Sequence, residues 1–556
     1  MNKGGCISMK YASLVLFSNA IFDSVVDRPF PGGVAISGSK ILYVGAREDV
    51  EQYIGLETLV RECGEKMIMP GICDGHAHLI GTATKQYAEV ASGLDKYTSE
   101  LECVKAVKAF AEKHPGTARI FGTGWLLTNW GHDPKRPSKA SLDETFPTTP
   151  VYLLGTDGHS LWMNSRAIEE CNLEEIVRQN PDAPPDLAPR DEDGSFTGFI
   201  AEKICHIVNR FAESYSSDEI VDYQRRMVKL LNSFGMTGFT DVSPIPSYAI
   251  EDYIRPLSEM EENGELTVRF YFWAGNGPSG DSDIEDALNV KALGESINSD
   301  KLRIAGLKTL ADGIPFTHTA SMLEEYSDNP GVRGDLLHPR EVYHEWITAV
   351  NKIGFAVKIH CCGDAAVRMA LDGFEKSNAV NDNRELRNAV EHMDIVSDED
   401  IPRFNELGVV ASVQPAHVVM GRGIYSVRIG DRARLEWNFR RLINAGAAIS
   451  IGTDSPVVDF NPFVTIYKAI TRKDTDGAVY SPYTLGQEMT LPEALKGYTT
   501  GAAFASNMEQ KTGTLEAGKY ADIAILDRNL FEIPADEIKD CHVLCTVFNG
   551  QIVYEA

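Results

Sequence analysis

The 556-residue sequence has no apolar run approaching the roughly 20 residues that a bilayer-crossing helix requires, so no membrane span is expected. It is also poor in positive charge. Its 53 lysines and arginines face 80 aspartates and glutamates, for a formal charge of -27. A nucleic-acid-binding face needs clustered basic residues and is not expected; the acidity favours solubility without identifying a substrate. The ten cysteines lack the paired spacing of a zinc finger. Scattered thiols, including the adjacent Cys361 and Cys362, read as buried and reduced, which suits a cytoplasmic location. A secretory leader is not expected either: the apolar stretch from Ala12 to Phe22 is broken by Ser13, Ser18 and Asn19, has no convincing basic lead with a cleavage site, and reads as a strand.

What the chain does have is Asp74-Gly75-His76-Ala77-His78, directly after the apolar run from Met67 to Cys73. Alternate side chains of a strand share a face, so His76 and His78 can present two imidazoles to one point and begin a metal site. A lone His-x-His pair is weak evidence. Three later segments strengthen it: Phe355 to His360, Ala389 to His392, and Ala447 to Asp454 each end a short apolar run on a histidine or a carboxylate.

These runs share a lead-in of an amphipathic helical stretch, then a glycine. The pattern runs from Ser217 to Gly235 before Met236–Asp241, from Glu341 to Gly354, from Asp398 to Gly408, and from Arg434 to Gly446. Serine or aspartate is expected to cap such helices and glycine to end them in the left-handed conformation. Helices alternating with buried strands imply parallel pairing, and a (β/α)8 TIM-like barrel is the economical closure. The C-terminal strand ends of such a barrel meet at one mouth, where residues remote in sequence can surround one ion.

With these motifs laid out, the chain resembles the amidohydrolase superfamily, in the branch that includes the N-substituted formamide deformylases. The resemblance rests on Met69-Pro-Gly-Ile-Cys-Asp-Gly-His-Ala-His78, Asp157-Gly-His159, Lys308 with Asp312-Gly313, His360 with Gly363-Asp364, Glu391-His392, Gln414-Pro415 and Thr453-Asp454-Ser-Pro456. It implies a metal-dependent hydrolase that cleaves a non-peptide carbon–nitrogen bond of a small molecule. It also implies one or two divalent ions, zinc foremost, held by His76, His78, Lys308, His360, His392 and Asp454. Lys308 stands where many members carry a carboxylated lysine that bridges two metals, with an ordinary salt bridge as the alternative. Asp454 is expected to act as general base and then acid. Ester, lactone or carbamate hydrolysis on the same site, and a non-catalytic binding protein, are the alternatives. Ring deaminases of the superfamily usually carry a glutamate three residues after the fifth-strand histidine, and Gly363 stands there instead.

The segment between the first barrel strand and Asp241 is too long for a crossover and is expected to be an inserted subdomain over the barrel mouth, about residues 95–235. Within it the resemblance puts His159 against the substrate carbonyl as a catalytic candidate, although a glycine turn with a hydrogen-bonded histidine reads equally well. Trp125, Glu202 and, beyond the insertion, His417 are second-tier substrate candidates; packing is the alternative for Trp125 and a solvated helix position for Glu202. The short strands of residues 1–70 and 506–556 are expected to join as a small β-sandwich beside the barrel of residues 71–505. No motif defines an interface, so a homo-oligomer stays open.

Overall fold

The structure, a computed structural model, describes residues 11–87, 90–130, 135–156, 158–181, 183–212, 217–243, 245, 249–277, 283–297, 299–419, 423–479, 481, 483 and 485–556. Eight parallel strands form the barrel in sequence order: β1 (Ile72–Ala77), β2 (Met236–Asp241), β3 (Arg269–Gly275), β4 (Leu302–Leu310), β5 (Ala356–Cys361), β6 (Ala389–His392), β7 (Val410–Val413) and β8 (Ala448–Ile451). The third of these was not identified from the sequence. Arg269-Phe-Tyr-Phe-Trp-Ala-Gly275 is buried on both faces, and its run carries no terminal histidine or carboxylate.

The glycines that end the lead-in stretches behave as expected. Gly235, Gly354, Gly408 and Gly446 all have positive φ, between 71° and 81°, a conformation open to residues without a Cβ. The helix Arg340–Lys352 buries Tyr343, Trp346, Ile347 and Val350, the stripe that a 3.6-residue period places against a sheet. The expected serine or aspartate caps are not made on the helices that precede β5 and β7. Arg340–Lys352 starts after Pro339, and Ile401–Leu407 starts after Asp400 with no side-chain cap bond. Pro402 has no N–H to satisfy, and the Asp400 carboxylate is taken by Arg368 Nε (2.9 Å), Ser397 Oγ (2.8 Å) and Arg403 Nη1 (2.9 Å). The last lead-in is also broken: a 3-10 turn over Gly430–Leu435 precedes the short helix Phe439–Asn444.

Strands from both ends of the chain form one eight-stranded sheet, folded as the small sandwich. Leu14–Ile21 lies at its centre, pairing with Phe30–Ser37 on one side and with Leu59–Glu62 and Met67–Pro70 on the other. Leu14 and Leu16 pack into a core with Ile523, Ile525 and Val547, while Val15 and Phe17 pack with Val50. Both faces of this strand are covered, so its sequence reads as a continuous apolar run.

The chain divides into two compact units, residues 1–83 with 222–556, and residues 84–221. The division falls within the helix Ser217–Ser233. The second unit has its own four-stranded sheet, in the order Phe199–Ala201, Ser160–Met163, Val151–Gly155, Ile120–Trp125, and its own apolar cores around Tyr152 and Trp162. No described helix is long and apolar enough to cross a membrane.

Candidate metal centre

The seam between β1 and β8 builds the site. Asp74, fully buried, accepts hydrogen bonds from Thr453 N (3.0 Å), Thr453 Oγ1 (2.7 Å) and His76 N (3.1 Å), and Asp454 N donates to His76 O at 2.7 Å. A carboxylate thus stands in for ladder bonds between the first and last strands. Burial pushes the Asp74 carboxyl up to about 6 against these bonds. The backbones approach closely here: a Cβ on Gly452 would run into the His76 nitrogen, so only glycine fits.

His76 and His78 leave β1 toward the same point. His78 Nε2 is 2.9 Å and His76 Nε2 3.2 Å from Asp454 Oδ1. On the other oxygen, His417 Nε2 lies 3.6 Å and His392 Nδ1 3.9 Å from Asp454 Oδ2. The His360 ring stacks obliquely on His392 with centroids 4.3 Å apart, and its Nε2 is 3.3 Å from Cys362 Sγ. His392 and Asp454 both have positive φ, 71° and 62°. Strained backbone at two strand ends turns side chains that simple alternation would aim elsewhere toward one centre.

Three of the histidines are held in the form that suits ligation. Burial, followed by the neighbouring Lys308 charge, pushes the His360 imidazole down to about 3. Burial with the neighbouring His360 holds His392 well below the ordinary histidine value, and burial lowers His417 too. These rings are neutral at pH 7, with lone pairs available. Burial opposes the charge of Asp454, yet the His76 imidazole beside it holds the carboxyl well below the usual range.

Behind His76 lies a charge cluster that sequence reasoning missed. Glu391, fully buried, pairs with Lys308 Nζ and with Lys358 Nζ at 3.1 Å, and its Oε1 is 2.9 Å from His76 Nδ1 without hydrogen-bond alignment. Lys358 also donates to Gly75 O at 3.1 Å. One signal was available: Lys358 shares a face with His360 two residues on, a charge in the middle of an otherwise apolar strand. Glu391 sits directly before His392, and alternation argued against the two serving one centre.

The residues fit a divalent ion. His76 Nδ1 and His417 Nε2 are buried without hydrogen bonds. In each of the triplets His76–His78–Asp454, His392–His417–Asp454 and His76–Glu391–His392, one ligand atom per residue lies within 4.8 Å of the others. Imidazoles with carboxylates form the donor set of zinc and similar ions.

Of the residues singled out from sequence, His76, His78, His360, His392, His417 and Asp454 come together, and Lys308 joins through Glu391. His159 and Glu202 lie in the inserted unit, paired at 2.9 Å. Asp157 falls outside the described residues. Trp125 is 2 % exposed, packs against Trp130, Trp162 and Phe199, and donates to Leu153 O at 2.7 Å, in keeping with the packing alternative given for it. Asp312 of the motif accepts the backbone N–H groups of Ser321 (2.8 Å), Cys362 (3.0 Å) and Gly363 (2.9 Å), holding the turn after β5.

Comparison with known proteins points the same way. A model of the amidohydrolase family matches residues 60–554. The chain is 28% identical over 558 residues to the protein LONG AFTER FAR-RED 3 of Arabidopsis thaliana, covering 98% of this chain and 92% of that one. It is 23% identical over 544 residues to N-substituted formamide deformylase of Arthrobacter pascens, covering 94% of each. Among solved structures, an uncharacterized metal-dependent hydrolase from Pyrococcus horikoshii OT3 superposes with a TM-score of 0.77 at 25% identity, over 94% of this chain and 99% of that one.

Proposed function

The chain belongs to the amidohydrolase family and is a metal-dependent hydrolase; on that premise we propose that it hydrolyses a non-peptide carbon–nitrogen bond, of the amide type, in a small molecule. The observation that carries this reading is the convergence of four imidazoles, those of His76, His78, His392 and His417, on the two oxygens of Asp454. The likeness to a formamide deformylase supports an N-acyl amine as substrate class. Gly363 supports it against ring deamination, since a Cβ there would collide with the Ser321 carbonyl oxygen and leaves no room for the glutamate such enzymes use.

In this reading His76, His78 and Asp454 hold a divalent ion, zinc foremost by donor type, and His360 and His392 complete the set. When bound, such an ion acidifies water and polarises a carbonyl. Asp454 Oδ1 faces His76 Nε2 and His78 Nε2 and would join them as a ligand, so Oδ2 is the atom left to take the proton from the attacking water. The same oxygen then returns that proton to the leaving nitrogen as the carbon–nitrogen bond breaks, giving an acid and an amine. His417 Nε2 faces Oδ2 at 3.6 Å, beside the proton's place on the carboxylate.

Lys308 acts as an ammonium that balances Glu391. Its contact with that buried carboxylate supports the amine form, because carboxylating it would set two anions side by side in a buried cluster, with Lys358 and His76 left to offset both. Protein equilibrated with 13C-bicarbonate is therefore expected to give no carbamate carbon signal, and metal loading is expected to be indifferent to added bicarbonate. A carbamate resonance lost on Lys308→Arg would reverse this assignment.

The reaction itself is tested with a substrate panel that pairs each amide with its matching ester, assayed with and without added zinc or manganese. Metal-dependent turnover of N-formyl or N-acyl amines in preference to the esters is expected. Preference for esters, lactones or carbamates would shift the reading to those bonds, and no turnover by metal-loaded protein would count against hydrolysis at this site.

A further inference from the structure

The inserted unit contains a convergence of ligand side chains drawn from its own residues alone. Glu202 and His206 stand one turn apart at the start of the helix Glu202–Ala212, a spacing that puts both on one face. His159 comes from the turn before the strand Ser160–Met163. That strand pairs antiparallel with Phe199–Ala201, with Ser160 opposite Ala201, and Glu202 N donates to His159 O at 2.8 Å. Sheet register therefore fixes His159 beside the helix start.

His159 Nδ1 is 2.9 Å from Glu202 Oε2, and the His159 and His206 rings lie 5.0 Å apart at 74°. One ligand atom from each of the three residues lies within 4.8 Å of the other two. Glu202 has φ of 48°, a left-handed conformation that a glutamate rarely adopts. That backbone turns the strand directly into the helix and keeps the carboxylate against His159. The side chains of His159 and Glu202 are 34% and 48% exposed, so an ion between them would keep access to solvent.

We propose that His159, Glu202 and His206 form a second divalent-metal site, lying wholly within the inserted unit and suited to zinc or a similar transition ion. Two imidazoles and one carboxylate supply three protein ligands and leave a fourth position open. Tetrahedral coordination at zinc bond lengths sets ligand atoms about 3.4 Å apart. The His159–Glu202 pair would open by about 0.5 Å and His206 would swing inward, both within the reach of side-chain rotation. The inference does not rest on the barrel reading.

The test uses untagged full-length protein, stripped with chelator, reloaded with zinc or cobalt, and analysed for metal per chain. A His76→Ala/His78→Ala variant, its barrel ligands removed, is expected to retain one ion per chain and a visible cobalt absorption; adding His206→Ala should abolish both. Because the barrel variant may not fold, His206→Ala and Glu202→Gln are also made singly in the natural chain. Each should lower the metal count by one, or weaken binding of the second ion at least a hundredfold, with the circular dichroism spectrum unchanged. An unchanged count and affinity in both single variants would overturn the proposal and leave an ordinary His159–Glu202 ion pair. Loss of the barrel ion with retention of this one, or the reverse, tells the two readings apart.

Discussion

Replacing Asp454 with asparagine is expected to lower kcat by at least about a thousandfold while the protein stays folded and binds substrate. Proton transfer by a positioned carboxylate is worth roughly 10²–10⁴ in rate, and the amide can neither accept the proton nor supply the anionic ligand. The fold should tolerate the change for a local reason. Asp454 has φ of 62°, and asparagine is among the few residues that occupy the left-handed region readily. The bond that closes the seam at this point is made by the Asp454 backbone N–H to His76 O and does not involve the carboxylate. Turnover measured after metal loading, with circular dichroism as the control, decides the matter. A near-normal rate would exclude Asp454 as the proton carrier.

Glu391→Gln is expected to have the largest effect on stability. Glu391 is fully buried and Lys308 is 5% exposed, so removing the carboxylate charge leaves two buried ammonium groups without their counterion. Breaking a buried pair from one side costs about 3–5 kcal/mol, which a fall in the urea unfolding midpoint would report. Metal affinity should fall as well, by about 10–100-fold, because the carboxylate 2.9 Å behind His76 Nδ1 acts on that ring through its charge. A control separates the two effects. Replacing Glu391, Lys308 and Lys358 together with apolar residues of similar volume should recover most of the stability, since no charge is then left unpaired, but not the metal affinity. If Glu391→Gln unfolds at the same urea concentration as the natural chain, the cluster is not holding the barrel together.

Much of the barrel was legible because its cues are local. A glycine closing an amphipathic stretch signals a helix end within a few residues, and Gly235, Gly354, Gly408 and Gly446 each do so with positive φ. An apolar run ending on His360, His392 or Asp454 marks both a strand and the mouth it reaches. β3 escaped notice for the complementary reason: Arg269–Gly275 is a strand by composition but bears no ligand, and the reading followed ligands. Cap chemistry was less legible, because proline at a helix start or arginines on a carboxylate remove the need for a side-chain cap.

From its sequence alone, the alternation of parallel strands with helices, β3 apart, and the histidines and Asp454 as candidates were legible, since each depends on neighbours a few residues away. Tertiary structure alone decided that Glu391 sits between Lys308 and Lys358, that Asp74 closes the seam to Thr453, that Trp125 is packed away, and that His159, Glu202 and His206 meet. The longest of these contacts, from Asp74 to Thr453, joins positions 379 residues apart. The contacts follow from strand register and from backbone turned to positive φ at His392, Asp454 and Glu202, and neither is encoded in the spacing of any one segment.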